Sequence, residues 1–159
     1  MEEEYPGNDD LFSTDEVYQL LALVNETLSG INYHFWVNKA QGQNFEVLDW
    51  IELQFESGHK MFLTAGVETD GIKLGEPDFE LIRSNLRDEF KGVVTLESRN
   101  VSSHKIWAEN LGKPIIPSLV KHEKGMINDS IVLKFEEGDD IEISLGLEGL
   151  NVDYFEETD

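Results

Sequence analysis

The amino-acid sequence predicts an α+β fold made by tandem duplication of a helix plus four-stranded antiparallel sheet unit. Three observations carry that prediction: a repeat at an offset of 80, helical spacing of apolar residues ahead of each copy, and strand alternation inside each copy. The repeat aligns eight identical pairs: Asp49/Asp129, Ile51/Ile131, Leu53/Leu133, Phe55/Phe135, Glu56/Glu136, Gly58/Gly138, Gly66/Gly146 and Glu68/Glu148. Self-similarity of this kind is read first, because repeated units must share a core.

Upstream, Val17, Leu20, Val24, Leu28 and Gly30 match Phe79, Ile82, Leu86, Phe90 and Gly92 at an offset of 62. Spacings of three and four put those side chains on one helical stripe, and the glycine after each stripe reads as a helix stop. Ser13 or Thr14 suits the cap of the first helix, with Asp15 and Glu16 in its first turn, and Pro77-Asp78 opens the second. The growth of the offset from 62 to 80 places 18 extra residues in the second copy, between Arg99 and Ile127.

A first strand is predicted at 31–37 and again at 93–97. The hairpin follows. Ile51, Leu53 and Phe55 alternate with Glu52, Gln54 and Glu56, and Ile131, Leu133 and Phe135 repeat the pattern. Glu56-Ser57-Gly58 and Glu136-Glu137-Gly138 suit three-residue turns whose glycine takes a positive φ. Such turns set Leu53 across from Met61, Ile51 across from Leu63, Leu133 across from Ile141 and Ile131 across from Ile143. Turns at Thr69-Asp70-Gly71 and Glu148-Gly149 lead to last strands at 72–74 and 150–154.

One face of each sheet is polar, so each helix is expected to cover the apolar face of its own sheet, giving two-layer halves. Halves this small bury too little surface to stand alone. Residues 1–159 are therefore expected to form a single compact domain about a pseudo-twofold axis. Repeat one spans 13–75, and repeat two spans 76–155 with an inserted loop at about 100–126. The sheets are left two arrangements, edge to edge as one continuous sheet or face to face.

The 159 residues carry 33 acids against 12 Lys and Arg, a net charge of −21. That balance argues against nucleic acid and anionic membrane surfaces as partners and favours a basic protein. No cysteine is present, which excludes disulfides and thiolate chemistry. An acidic start, Met1-Glu2-Glu3-Glu4, and the lack of a long apolar run give a cytoplasmic expectation.

Residues 1–16 and 136–159 together hold 17 of the 21 net negative charges. In the second hairpin Glu136, Glu137, Asp139, Asp140 and Glu142 crowd together, with Glu136, Asp140 and Glu142 on one solvent face. In the first, the corresponding positions are Glu56, Lys60 and Phe62, where a lysine is at hand. Like charges on neighbouring strand positions repel, so carboxylates retained there suggest a docking site for a cationic partner. Their spacing does not match a helix-loop-helix calcium loop, and no metal is assigned.

The inserted segment is basic, with Arg99, Lys105, Lys113, Lys121 and Lys124 against Glu109 and Glu123. It also carries His104, Trp107 and Pro114-Ile115-Ile116-Pro117, whose prolines predict an extended loop. Its two readings are a contact surface and a cover for a sheet edge. No catalytic or cofactor signature occurs, and no two histidines have ligand spacing, so the chain is read as non-enzymatic with no cofactor. His34, beside Phe35-Trp36, reads as a hydrogen-bonded structural histidine. The tryptophans read first as packing residues, with Trp50, directed away from the core face, and Trp107 as candidate contacts. The predicted partner-binding set is thus Glu136, Glu137, Asp139, Asp140, Glu142, Trp107, Trp50 and His104.

In size, acidity and lack of catalytic motifs, the chain resembles two classes of cytoplasmic binder. One is the immunity proteins, which neutralise a toxin, often a basic nuclease, with acidic side chains. The other is the small acidic chaperones of secreted effectors, whose order of helices and strands differs from the unit here. The first likeness implies an inhibitor that sequesters a basic protein. The alternatives are an effector chaperone, and a small-molecule binder or enzyme with its pocket at the repeat interface and inserted loop.

Overall fold

A computed structural model describes residues 10–40, 45–65, 71–146 and 149–155, the side chains of Tyr154 and Phe155 excepted. Its elements run α1 (Thr14–Leu21), β1 (Leu28–Asn38), β2 (Phe45–Phe55), β3 (Lys60–Thr64), β4 (Lys73–Leu74), α2 (Phe79–Phe90), β5 (Val94–Asn100), α3 (Lys105–Ala108), β6 (Ile115–His122), β7 (Gly125–Phe135), β8 (Asp140–Leu145) and β9 (Leu150–Phe155). Among the described residues the strands form two antiparallel sheets, ordered β4-β3-β2-β1-β5 and β6-β7-β8-β9. The fold is α+β and dominated by its sheets. One continuous sheet is not formed.

The hairpins follow the alternation in the sequence. Leu53 opposes Met61 and Ile51 opposes Leu63 in the first sheet, and Leu133 opposes Ile141 and Ile131 opposes Ile143 in the second. β2 and β7 have bounds that differ by 80 at both ends. Gly58 takes φ +93°, as a three-residue turn asks of its glycine, whereas in the second hairpin the positive φ falls on Glu137, at 59°. Gly138 is needed for another reason: a Cβ there would collide with Asn110 Oδ1 and lie 2.9 Å from Lys113 Nζ. Gly66, Glu68 and Glu148 of the repeat, and Thr69-Asp70 of the first predicted turn, lie outside the described residues, as do residues 1–9 and 156–159 at the two acidic ends.

The helices are placed differently from the expectation. Ser13 caps α1 through a complete capping box with Glu16, but the helix ends at Leu21, well short of Gly30, which lies within β1. The other Glu16 carboxylate oxygen accepts the backbone N–H of Leu74 at 2.9 Å, tying α1 to the short edge strand β4. α2, capped by Asp78, packs on β5 through Leu86, Val94 and Leu96, with Phe79, Ile82 and Phe90 around them. It therefore covers the polar face of the first sheet rather than an apolar one. The apolar faces cover each other: Ile31, Ile51, Leu53 and Leu63 of the first sheet and Ile115, Ile131, Leu133 and Ile143 of the second join one buried cluster.

The inserted segment is also rearranged. It forms α3 and the strand β6, which pairs with β7, while β5, expected to begin the second sheet, pairs with β1 of the first. Pro117 does not prevent β6 from forming. β6 is an edge strand, and an edge tolerates a residue without an N–H where an interior strand does not. α3 delivers Trp107 to the core with no exposure, its Nε1–H donating to the Tyr33 hydroxyl at 2.7 Å. We expect Trp107→Phe to lower unfolding free energy in urea by about 2–4 kcal/mol, through lost volume and an orphaned hydroxyl. A change below about 0.5 kcal/mol would mean that α3 does not anchor the core.

Candidate binding face and the polar network opposite it

The outer face of the second sheet carries the side chains that alternate with Ile131, Leu133, Ile141 and Ile143. In β8 these are Asp140, Glu142 and Ser144, and Glu142 lies between Val132 of β7 and Asp153 of β9. Asp153 was not singled out by the sequence, because only the β8–β9 register brings it opposite Glu142. Among the described residues none of Glu136, Glu137, Asp139, Asp140, Glu142 and Asp153 joins an ion pair. Ile116 and Val120, half exposed on β6, border the same sheet and add apolar surface at the edge away from the carboxylates.

Lys113 of the inserted segment reaches the acidic turn, its ammonium donating to the Glu137 carbonyl at 3.3 Å and to Asn110 Oδ1 at 3.4 Å. The insertion and the hairpin thus meet through a backbone carbonyl. The other predicted contact residues are dispersed. Trp107 is in the core and offers no surface to a partner. Trp50 lies on the outer face of the first sheet, half-buried against Phe79 at a ring distance of 6.4 Å, so its expected exposure is removed by α2. His104 is exposed at the start of α3 and makes no side-chain capping bond.

The first sheet treats its charges in the opposite way. Lys60, at the position corresponding to Asp140, lies 3.8 Å from Glu52, and Arg99 and Lys39 bind Glu46 and Glu97. Beneath α2, His34 is 4% and Glu52 6% exposed. His34 Nε2 meets Glu52 Oε1 at 3.0 Å and Nδ1 meets Ser98 Oγ at 2.7 Å, while Gln54 donates to the other Glu52 oxygen at 2.7 Å. Phe79 stacks on the imidazole at 4.1 Å. Arg83 donates to Ser98 Oγ at 2.9 Å. This agrees with a hydrogen-bonded histidine next to Phe35-Trp36, but its partners come from β2, β5 and α2, and no local spacing reveals them.

Burial pushes the His34 pKa down, and although Glu52 pushes back, the imidazole stays below its ordinary range. Burial pushes Glu52 up, but hydrogen bonds from Gln54, His34 and Asn32 hold it below the usual carboxylate range. The chemistry then fixes the protons: ionised Glu52 only accepts, so Nε2 carries the hydrogen and bare Nδ1 accepts the Ser98 hydroxyl. Among the described residues no group of three or more His, Asp or Glu is arranged to hold a metal ion. Among the described residues no helix is long and apolar enough to cross a membrane.

A histidine whose folded pKa is depressed favours unfolding on acidification, since the unfolded chain binds the proton more readily below about pH 6.5. Stability should therefore fall as the pH drops below about 6.5, with a slope contribution of up to about 1.4 kcal/mol per pH unit. His34→Gln should flatten that part of the curve in urea titrations across the range. Identical slopes in both proteins would remove His34 as its source.

Comparison of the chain with protein-family models, with characterised proteins and with solved structures found no match. Its geometry and chemistry are the basis for a functional reading.

Proposed function

We propose that this chain is an acidic binding protein that docks a basic protein partner on the open outer face of its second sheet. One observation carries the reading: Glu142 and Asp153 stand directly across from each other, neither in an ion pair among the described residues, on a face that no described helix covers. Opposed like charges on adjacent strands cost a few tenths of a kcal/mol each. A lysine or arginine from a partner relieves that cost. Val132, Ile116 and Val120 nearby supply apolar area to desolvate, and the net charge of −21 steers a cationic protein toward the chain.

Sequestration or inhibition of that partner, as by an immunity-type protein, follows when the covered patch is the partner's own functional surface. The fold reading extends the same way. The eight identical residue pairs and the matching hairpin registers support an origin by tandem duplication. In that reading the second copy's helix, α2, came to lie over the outer face of the first sheet, and the second sheet's own outer face, with no described helix on it, gained carboxylates.

The test separates this face from net charge alone. Glu142→Lys with Asp153→Lys should abolish salt-sensitive capture of basic proteins from a host lysate. Asp88→Lys with Glu89→Lys, an equal charge change on the exposed side of α2, should leave it largely intact. For the captured partner, raising salt from 50 to 500 mM should slow association at least about tenfold. Equal losses in both double variants would reduce the interaction to bulk charge and remove the second sheet as its site.

A further inference from the structure

We propose that Ser98 is a nucleophile, activated by His34 and Glu52, that accepts an acyl group from a small unhindered ester or thioester. The three residues lie side by side on three hydrogen-bonded strands, Glu52 on β2, His34 on β1 and Ser98 on β5, all on the outer face of the first sheet. Strand pairing sets His34 directly opposite Ser98. The base is within 2.7 Å of the hydroxyl and 3.0 Å of the carboxylate that orients it. That is the geometry of an activated serine: nucleophile to base, base to orienting acid.

The surroundings make the arrangement directional. Glu52 is fixed by Gln54 on one oxygen and His34 on the other, and Phe79 stacked on the ring prevents the imidazole from turning away. Ser98 is exposed while its two partners are buried, so the relay ends at a surface hydroxyl. Arg83, already donating to Ser98 Oγ at 2.9 Å, sets a guanidinium beside the attacking atom, on the side of the site where the acyl carbonyl oxygen would gather negative charge as the adduct forms. A histidine serving packing alone requires only acceptors for its N–H groups. Here one nitrogen is left bare and faces an exposed hydroxyl.

In the first step Ser98 Oγ bonds to the acyl carbon and its proton passes to His34 Nδ1. The tetrahedral adduct collapses, the bond to the leaving alkoxide or thiolate breaks, and that group takes the proton from His34. Water then attacks the acyl-serine and gives its proton to His34. Cleavage of the acyl bond returns the proton to Ser98 Oγ and releases a carboxylic acid. Glu52 touches no substrate and is a positioning residue.

The full-length chain would be incubated with a fluorophosphonate probe and, separately, with p-nitrophenyl acetate, followed by intact mass and peptide mapping. The expected result is one adduct on Ser98, absent from Ser98→Ala and formed at least tenfold more slowly in Glu52→Gln. Because Glu52→Gln changes a buried residue, Arg83→Gln is the second variant, with the same expected slowing, and circular dichroism reports whether each is folded. The proposal is overturned if the wild-type chain acquires no adduct at Ser98. It is equally overturned if adducts form only elsewhere, or if Ser98 reacts at the wild-type rate in a folded Glu52→Gln or Arg83→Gln.

Discussion

The structure depends on two apolar sheet faces that cover each other. Alternation places Ile51, Leu53 and Phe55 on one side of β2, and Ile131, Leu133 and Phe135 on one side of β7. Burying each such side chain is worth about 1.5–3 kcal/mol, and neither hairpin can bury its own. Face-to-face packing removes both liabilities at once. It leaves α1 with Leu20, and α3 with Trp107, to close the margins of the core. A backbone bond from Ile72 N–H to the Asn128 carbonyl, at 2.7 Å, holds the approach to β4 against β7.

Once the inner faces are committed to one another, the molecule differs mainly in what happens to its outer faces. On the first sheet α2 lies over His34 and Glu52, so each polar atom there must find a partner within protein, and Ser98, Gln54 and Arg83 supply them. On the second sheet no described helix intervenes. Asp140, Glu142 and Asp153 are not buried there, and nothing in the fold requires them to be paired. The contrast is visible at two corresponding positions: Glu52 and Lys60 in one hairpin are Val132 and Asp140 in the other. The covered sheet has a buried acid with a lysine nearby; on the open sheet none of these acids is buried, and Lys134, two residues from Val132 on the same face, joins no ion pair among the described residues.

The legible parts of this fold were those set by short-range periodicity. Strand alternation and turn length sufficed for both hairpin registers, and capping chemistry narrowed the start of α1 to Ser13 or Thr14 and that of α2 to Pro77-Asp78. What could not be read depended on long-range competition. The stripe from Val17 to Leu28 continues helical spacing past the end of α1, yet Leu28 and Gly30 belong to β1, because the strand ladder satisfies their backbone more fully than a longer helix would. The sequence at 93–97 suits the first strand of either sheet, and only the vacancy beside β1 decides between them. Pro117 argued against a strand for as long as the edge position of β6 was unknown. In the candidate face, the crowded acids of the second hairpin were evident from spacing, whereas Asp153 needed the β8–β9 register and the burial of Trp107 needed α3.

The two outer faces are also electrostatically separable. They lie on opposite sides of a core in which packed sheets stand about 10 Å apart, with a further layer of side chains beyond each sheet. At physiological salt, charges in solvent are screened over about 8 Å. A cation arriving at Glu142 and Asp153 is therefore felt weakly at His34, whose ionisation is governed first by burial and then by Glu52 and Arg83 within its own network. Docking on one face and proton movement on the other need not compete, since no residue serves both. A fold that spends its apolar surface on a single shared core leaves two exteriors free to diverge, one toward a satisfied polar network and one toward unneutralised charge.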